Sequence, residues 1–192
     1  HFLLRRQRQM CIRDRYFVAT SSEYRLSRIE TWLSRKCDLG IDLLGDCFQL
    51  NQSRIAISSG GLFGLGPGTS RARWGSLPNS YSDFISSIIG EEYGFFGLFL
   101  LVLAFFILIS TTFLIAIREK NEIKKLISVG FGSWIFFQTV VNLGGAVGLL
   151  PITGIVLPFV SYGSSAMISI FIALGIMLSL IHISEPTRHT SI

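Results

Sequence analysis

Three carboxylates, Asp83, Glu91 and Glu92, stand where a long polar stretch meets the first strongly apolar run of the chain. Acidic side chains are costly beside hydrocarbon, so acids at such a boundary are functional-site candidates before anything else is known. Read as a helix opening near Ser80 or Ser82, the spacing puts Asp83, Ser86, Ser87, Gly90 and Glu91 on one side. Phe84, Ile85, Ile88 and Ile89 then fall on the other. Asp83 stands in the first turn of that helix, where the dipole favours a carboxylate. Two readings stay open at this point: a functional acid, or a cap leading into a membrane helix.

Arg71 and Arg73 precede the acid by about a dozen residues. Planar guanidinium forks bind phosphate oxygens bidentately. Paired arginines near a carboxylate outside a membrane therefore suit a polyprenyl diphosphate, whose chain lies in the bilayer and whose charged head lies at its surface. Contact with ordinary lipid headgroups is the alternative. Gln138 and Asn142 are one helical turn apart and share a face; amides so placed either join helices or line a cavity. Ser161-Tyr162-Gly163-Ser164-Ser165 opens a further apolar run with small polar residues, suited to close packing or to a groove.

The elements that must position these groups are mostly membrane helices. Mean hydropathy is +0.53, and the apolar residues crowd into the second half. Residues 94–117, 126–150 and 159–177 are apolar runs long enough to span a bilayer. Four basic residues lie in the loop 118–125, which the positive-inside rule assigns to the cytoplasm. Residues 16–93 and the turn 151–158 then face outward. The expected fold is an all-α polytopic membrane protein: about three transmembrane helices after a long extracytoplasmic loop with short interfacial helices. Tyr24–Ile29 and Phe48–Ser53 are candidates for those short pieces. Gly60-Gly61-Leu62-Phe63-Gly64-Leu65-Gly66-Pro67-Gly68 is no phosphate loop, because no Lys-Ser/Thr follows it. Such glycine density suits a backbone lying flat on a surface or re-entering protein-lined space. Cys37 and Cys47 lie in the polar half and can pair if that half is extracytoplasmic.

The chain ends are expected to lie outside the fold. One back-translation of Cys11-Ile12-Arg13-Asp14-Arg15 has a reverse complement that reads Leu-Ser-Leu-Ile-His, the residues of Leu178 to His182. Inverted copies of one DNA tag resemble read-through of a sequencing adapter, so residues 1–15 and 178–192 are set aside. Four of the five net positive charges fall on residues 5–15. The basic balance then says nothing about nucleic acid, and no basic stripe with interleaved aromatics supports such binding.

Taken together, the motifs resemble the SEDS family (FtsW, RodA and SpoVE) of peptidoglycan glycosyltransferases. The resemblance runs from about Tyr24 to Met177. It rests on Phe48-Gln49-Leu50-Asn51-Gln52-Ser53, Ser59 to Gly64, Trp74-Gly75-Ser76-Leu77-Pro78 with Asp83-Phe84, and Ile88 to Glu92. Gly148-Leu149-Leu150-Pro151-Ile152-Thr153-Gly154 and Leu157 to Gly163 complete it. The Trp-Gly form looks most like FtsW. The chain departs from the family where Tyr81-Ser82 replace His-Thr, Ala72-Arg73 replace Gln-Lys, and Gly163-Ser164 replace a double glycine.

The resemblance implies polymerisation of lipid II outside the cytoplasm during cell division, with Asp83 as catalytic base. Beside it, Arg71, Arg73, Gln49, Gln52, Gln138, Asn142 and Ser161 are the candidate substrate contacts read from the residues, and Glu91 and Glu92, which match a family motif, either join them or tune Asp83 and fix its helix. The implied partners are lipid II, the nascent glycan on undecaprenyl diphosphate, a class B penicillin-binding transpeptidase and other divisome proteins. The implied location is the bacterial cytoplasmic membrane at the septum. No cofactor is required, with room for a divalent cation at the diphosphate. A lipid II flippase and a non-catalytic division scaffold are the competing functions.

Overall fold

The computed structural model describes residues 23–34, 37, 47–75, 77 and 80–182. Regular structure among them is entirely helical: α1 Glu23–Leu33, α2 Phe48–Ser59, a one-turn 3-10 helix Ala72–Trp74, α3 Ile85–Arg118, α4 Glu122–Val147 and α5 Ser164–His182. The segment 1–15 set aside in the sequence lies outside the described residues. At the other end, α5 runs five residues past Met177.

Two helices, α3 and α4, are long and apolar enough to cross a membrane. The third expected span, 159–177, is displaced along the chain and keeps its length: its helix opens at Ser164 and ends at His182. Residues 158–161 form a turn in which Phe159 has φ +62°, outside helical geometry. Phe96, Phe99, Leu103 and Phe106 remain exposed on α3. An apolar helix with apolar outward faces is one solvated by lipid.

Helices α3 and α4 form an antiparallel hairpin. Asn121 caps α4 by accepting the Ile123 N–H at 3.0 Å, and Glu122 follows in the first turn, both favourable at a helix start. The helix therefore opens four residues before the expected 126. It closes at Gly148, whose φ of +85° directs the N–H groups of Gly148, Leu149 and Leu150 back to the Gly144 and Gly145 carbonyls. Between these ends, Ser128, Gly132, Ile135, Thr139, Asn142 and Ala146 are buried at helical spacing. Small residues let the backbones approach; a Cβ on Gly132 would lie 2.9 Å from the Thr112 hydroxyl.

Helix α3 is broken at Gly94, which sits at φ +66°, ψ −161°. A break in a membrane helix leaves backbone donors and acceptors that need partners from elsewhere in the protein. The glycine-rich segment supplies them. Leu65 and Gly66 N–H groups donate to the Glu91 and Glu92 carbonyls at 3.0 Å each. Phe95 and Phe96 N–H groups donate to the Gly61 and Leu62 carbonyls at 2.9 and 3.2 Å. A Cβ on Gly60 or Gly64 would collide with the Gly90 or Glu92 carbonyl. The glycines thus serve as backbone filler for a broken helix.

Two clusters of buried side chains hold this together. One, in the membrane-spanning part, joins Phe105, Phe131, Ile135, Leu157, Ile170 and Met177. The other joins Ala56, Ala72, Leu77, Phe84, Ile88 and Ala146, and so ties α2, the 3-10 turn and both arms of the hairpin around the acidic segment.

Candidate active site

Asp83 lies in the turn before α3, not in its first turn. The helix begins at Ile85 because Phe84, 2% exposed, is drawn into the second cluster and takes the N-cap position. The Ser87 and Ile88 N–H groups donate to the Phe84 carbonyl. The expected division into polar and apolar sides also gives way. Ser86, Ser87 and Glu91 are buried alongside Phe84 and Ile88, since α2 and the 3-10 turn cover the face expected to be open. Ser87 meets Ser53 at 2.7 Å, and Ser53 donates to the Ala146 carbonyl at 2.6 Å.

Half-buried, Asp83 sits in a small cleft with Asn142 and Gly145 of α4 and with Thr153, Gly154 and Ile155 of the loop beyond it. The Asn142 amide donates to the Asp83 carbonyl at 2.9 Å and to the Ile155 carbonyl at 2.8 Å. One buried side chain thereby clamps the acid's backbone to the facing loop. The Asn142 Oδ1 atom is itself buried without a hydrogen-bond partner. Gly154 adopts φ +70°, and a Cβ there would stand 3.5 Å from Asp83 Oδ2. Glycine therefore keeps one side of the carboxylate clear.

Glu91 does different work. At 2% exposure it accepts the Ser70 hydroxyl at 2.6 Å and the Arg71 and Ala72 N–H groups at 3.1 and 3.2 Å. Ser70 Oγ in turn accepts the Arg73 N–H at 3.2 Å. A carboxylate saturated by local donors builds the turn that carries both arginines; its bonds go to that turn and not to Asp83. Arg73 reaches Glu92 at 3.9 Å and lies over the Trp74 ring at 5.7 Å. The turn is joined to the acid's own segment through Tyr81, whose hydroxyl donates to the Arg73 carbonyl at 3.4 Å and whose carbonyl accepts the Tyr162 N–H at 3.0 Å.

The remaining expected residues divide. Gln49 accepts from Arg28 at 3.1 Å, a scaffold contact away from the Asp83 cleft. Gln52 is half-buried on α2. Gln138 is half-buried one turn below Asn142, with Oε1 lacking a partner. Ser161 accepts the Leu157 N–H at 2.8 Å and locks the turn before α5. Among the described residues, no group of three or more His, Cys, Asp or Glu side chains converges on a metal position. The structure also joins Cys37 and Cys47 in a disulfide. Sequence reasoning passed over Gly154, Ser70 and Ser53. Gly154 was visible as part of a motif, but its contact with Asp83 is set by folding alone.

An acid-bearing cleft at one end of a hydrophobic helical hairpin defines a polytopic α-helical membrane protein. The chain belongs to the FtsW/RodA/SpoVE family of cell cycle proteins, which it matches over residues 9–186. It is 41% identical over 140 residues to a probable peptidoglycan glycosyltransferase FtsW of Enterococcus hirae, covering 73% of this chain and 35% of the relative. To the stage V sporulation protein E of Bacillus subtilis it is 39% identical over 162 residues, covering 84% and 43%. The chain therefore spans well under half the length of these relatives.

Two solved structures share the fold. One comes from work on coordination of polymerisation and crosslinking by a peptidoglycan synthase complex, with TM-score 0.63 and 26% identity, over 95% of this chain and 48% of that one. The other is an aspartate-to-alanine mutant of the rod shape determining protein RodA from Thermus thermophilus. Its TM-score is 0.54 at 31% identity, over 75% of this chain and 43% of that one.

Proposed function

We propose that this chain forms the catalytic part of an FtsW-type peptidoglycan glycosyltransferase that polymerises lipid II, with Asp83 as general base. The observation that carries the reading is the cleft in which Asn142 fixes the Asp83 backbone while Gly154 leaves its carboxylate clear. The cleft lies at the end of the hairpin opposite the basic loop 118–125, which is the extracytoplasmic end by the positive-inside rule.

In the reaction, the acceptor sugar hydroxyl gives its proton to the Asp83 carboxylate as its oxygen attacks the anomeric carbon of the donor. The new glycosidic C–O bond forms as the bond to the diphosphate breaks. The polyprenyl diphosphate leaves with the electron pair, and the anomeric centre inverts. Arg71 and Arg73, on the turn built by Glu91, offset charge growing on the leaving group. Positioned proton transfer contributes about two to four powers of ten in rate. A divalent cation at this step would be held chiefly by substrate phosphate. The wider setting is the cytoplasmic membrane at the division septum, beside a class B penicillin-binding transpeptidase and other divisome proteins.

The test is Asp83→Asn in the intact membrane protein carrying this chain, assayed for glycan polymerisation from lipid II. A loss of about a hundredfold or more at normal expression is expected. Polymerisation at the parent rate would remove Asp83 from the mechanism. Lost lipid II translocation with polymerisation intact would support a flippase, and division defects with both rates unchanged would support a scaffold.

A further inference from the structure

The segment that follows α4 forms one wall of the Asp83 cleft and has no helix or strand over residues 149–157. Its course is set by hydrogen bonds from outside. The Leu150 N–H donates to the Gly144 carbonyl at 3.1 Å, and the Ile155 carbonyl accepts the Asn142 amide at 2.8 Å. Between them the Ile152 carbonyl accepts Arg28 of α1 at 3.1 Å. Gly154 lies between Ile152 and Ile155 at φ +70°, and it is the residue whose Cβ would stand 3.5 Å from Asp83 Oδ2. Glycine is the residue least able to hold a backbone conformation by itself. The distance of that wall from the carboxylate is therefore set by the anchors on either side, Arg28 and Asn142.

Arg28 is itself well founded. A second guanidinium nitrogen donates to the Gln49 side-chain oxygen of α2 at 3.1 Å. Cys37–Cys47 joins the chain just beyond α1 to the N-cap position of α2. Helix α2 in turn grips the end of α4: Ser53 donates to the Ala146 carbonyl at 2.6 Å and Arg54 Nε to the Val147 carbonyl at 3.1 Å. Helices α1 and α2 thus make one bracket over the end of α4, and Arg28 is the arm that reaches past Gly148 to the cleft wall. The Ile152 side chain packs from the other direction against the cluster that contains Phe84, the neighbour of Asp83. A donor that carries charge makes the stronger kind of hydrogen bond to such a carbonyl.

We propose that Arg28 is a positioning residue for the Asp83 cleft: it holds the Ile152 carbonyl and, through it, the Thr153–Ile155 wall that faces the Asp83 carboxylate. Arg28 acts through the main chain and touches no reacting atom. The proposal rests on the reading of Asp83 as general base.

The intact membrane protein carrying this chain is compared as parent, Arg28→Gln, Arg28→Lys, Asp83→Asn and the double variant Asp83→Asn/Arg28→Gln. The readouts are glycan polymerisation from lipid II and amide hydrogen exchange. Arg28→Gln should lower kcat about tenfold and leave KM within about twofold of the parent, the signature of a misplaced catalytic group. In the Asp83→Asn background the same change should lower the residual rate by less than about twofold, because residues that act through one group are not additive. Exchange at Thr153, Gly154 and Ile155 should speed up about tenfold with Arg28→Gln in either background, a readout that needs no turnover. Arg28→Lys keeps a cationic donor for the Ile152 carbonyl; it should fall between the parent and Arg28→Gln, and it is the variant to read if glutamine impairs folding. Glu30→Gln, exposed on the same helix, should match the parent. Parental kcat or parental exchange in Arg28→Gln, with Asp83→Asn inactive, overturns the role of Arg28 and leaves that of Asp83 standing. An equal tenfold loss in both backgrounds does the same. A parental rate for Asp83→Asn removes the general base, and this proposal with it.

Discussion

The Glu91 carboxylate and the Ser70 hydroxyl, twenty-one positions apart, meet at 2.6 Å in a fully enclosed setting. This contact turns an acid in a membrane-entry helix into the foundation of the arginine turn. Glu91→Gln puts an amide where three donors converge, so at least one loses its acceptor. The expected cost is about 2–3 kcal/mol, because hydrogen bonds to a buried charge are worth more than neutral ones. Ser70→Ala should cost less, about 1 kcal/mol. Thermal unfolding in detergent reads both, and equal melting temperatures for parent and Glu91→Gln would refute the assignment.

Asn142 clamps Asp83 without touching its carboxylate. Asn142→Ala removes both carbonyl contacts and should lower glycan polymerisation about tenfold or more, since small displacements of a catalytic group are costly. The split between kcat and KM separates positioning from folding. A fall in kcat with helical content and KM unchanged is the expected result.

Gly94 combines a positive φ with backbone packed against it on the glycine-rich side. Gly94→Ala meets both left-handed strain and the Leu62 carbonyl, and should cost at least about 2 kcal/mol. Leu62→Ala and Phe63→Ala, whose side chains are exposed, should change stability by no more than about 0.5 kcal/mol. Expression and melting of the three variants form the comparison.

The Cys37–Cys47 disulfide closes a ten-residue interval between α1 and α2. The chain-entropy description gives such a closure a contribution of about 3 kcal/mol at most. In non-reduced protein, alkylation followed by mass measurement should label neither cysteine. After reduction both should react, and the α1–α2 region should become the first to yield to protease.

Much of this arrangement was legible in the sequence, and the reason differs from element to element. The apolar runs carried their own length, so the hairpin and its basic loop could be read from hydropathy. Asp83 was legible because an acid at a membrane boundary needs a reason. Its exact setting was not, because burial of Phe84 moves the helix start by a few residues and no local propensity records that contact. Glu91 illustrates the same gap: its partners come from a turn about twenty positions earlier. The break at Gly94 was hidden because the following residues are apolar whether the helix is continuous or not. Arg28 and Arg54 came together only once α1 and α2 had been folded against the end of α4.

The joint between the two pieces of α3 is made of main-chain atoms on both sides. Its tolerance to sequence drift is therefore sharply uneven. Positions 62, 63 and 65 can change side chain freely, while 60, 64 and 94 admit no extra carbon. A library of substitutions across 60–66 should rank 60 and 64 as the least tolerant, 61 and 66 between, where a side chain has room but the backbone sits at positive φ, and 62, 63 and 65 as the most tolerant.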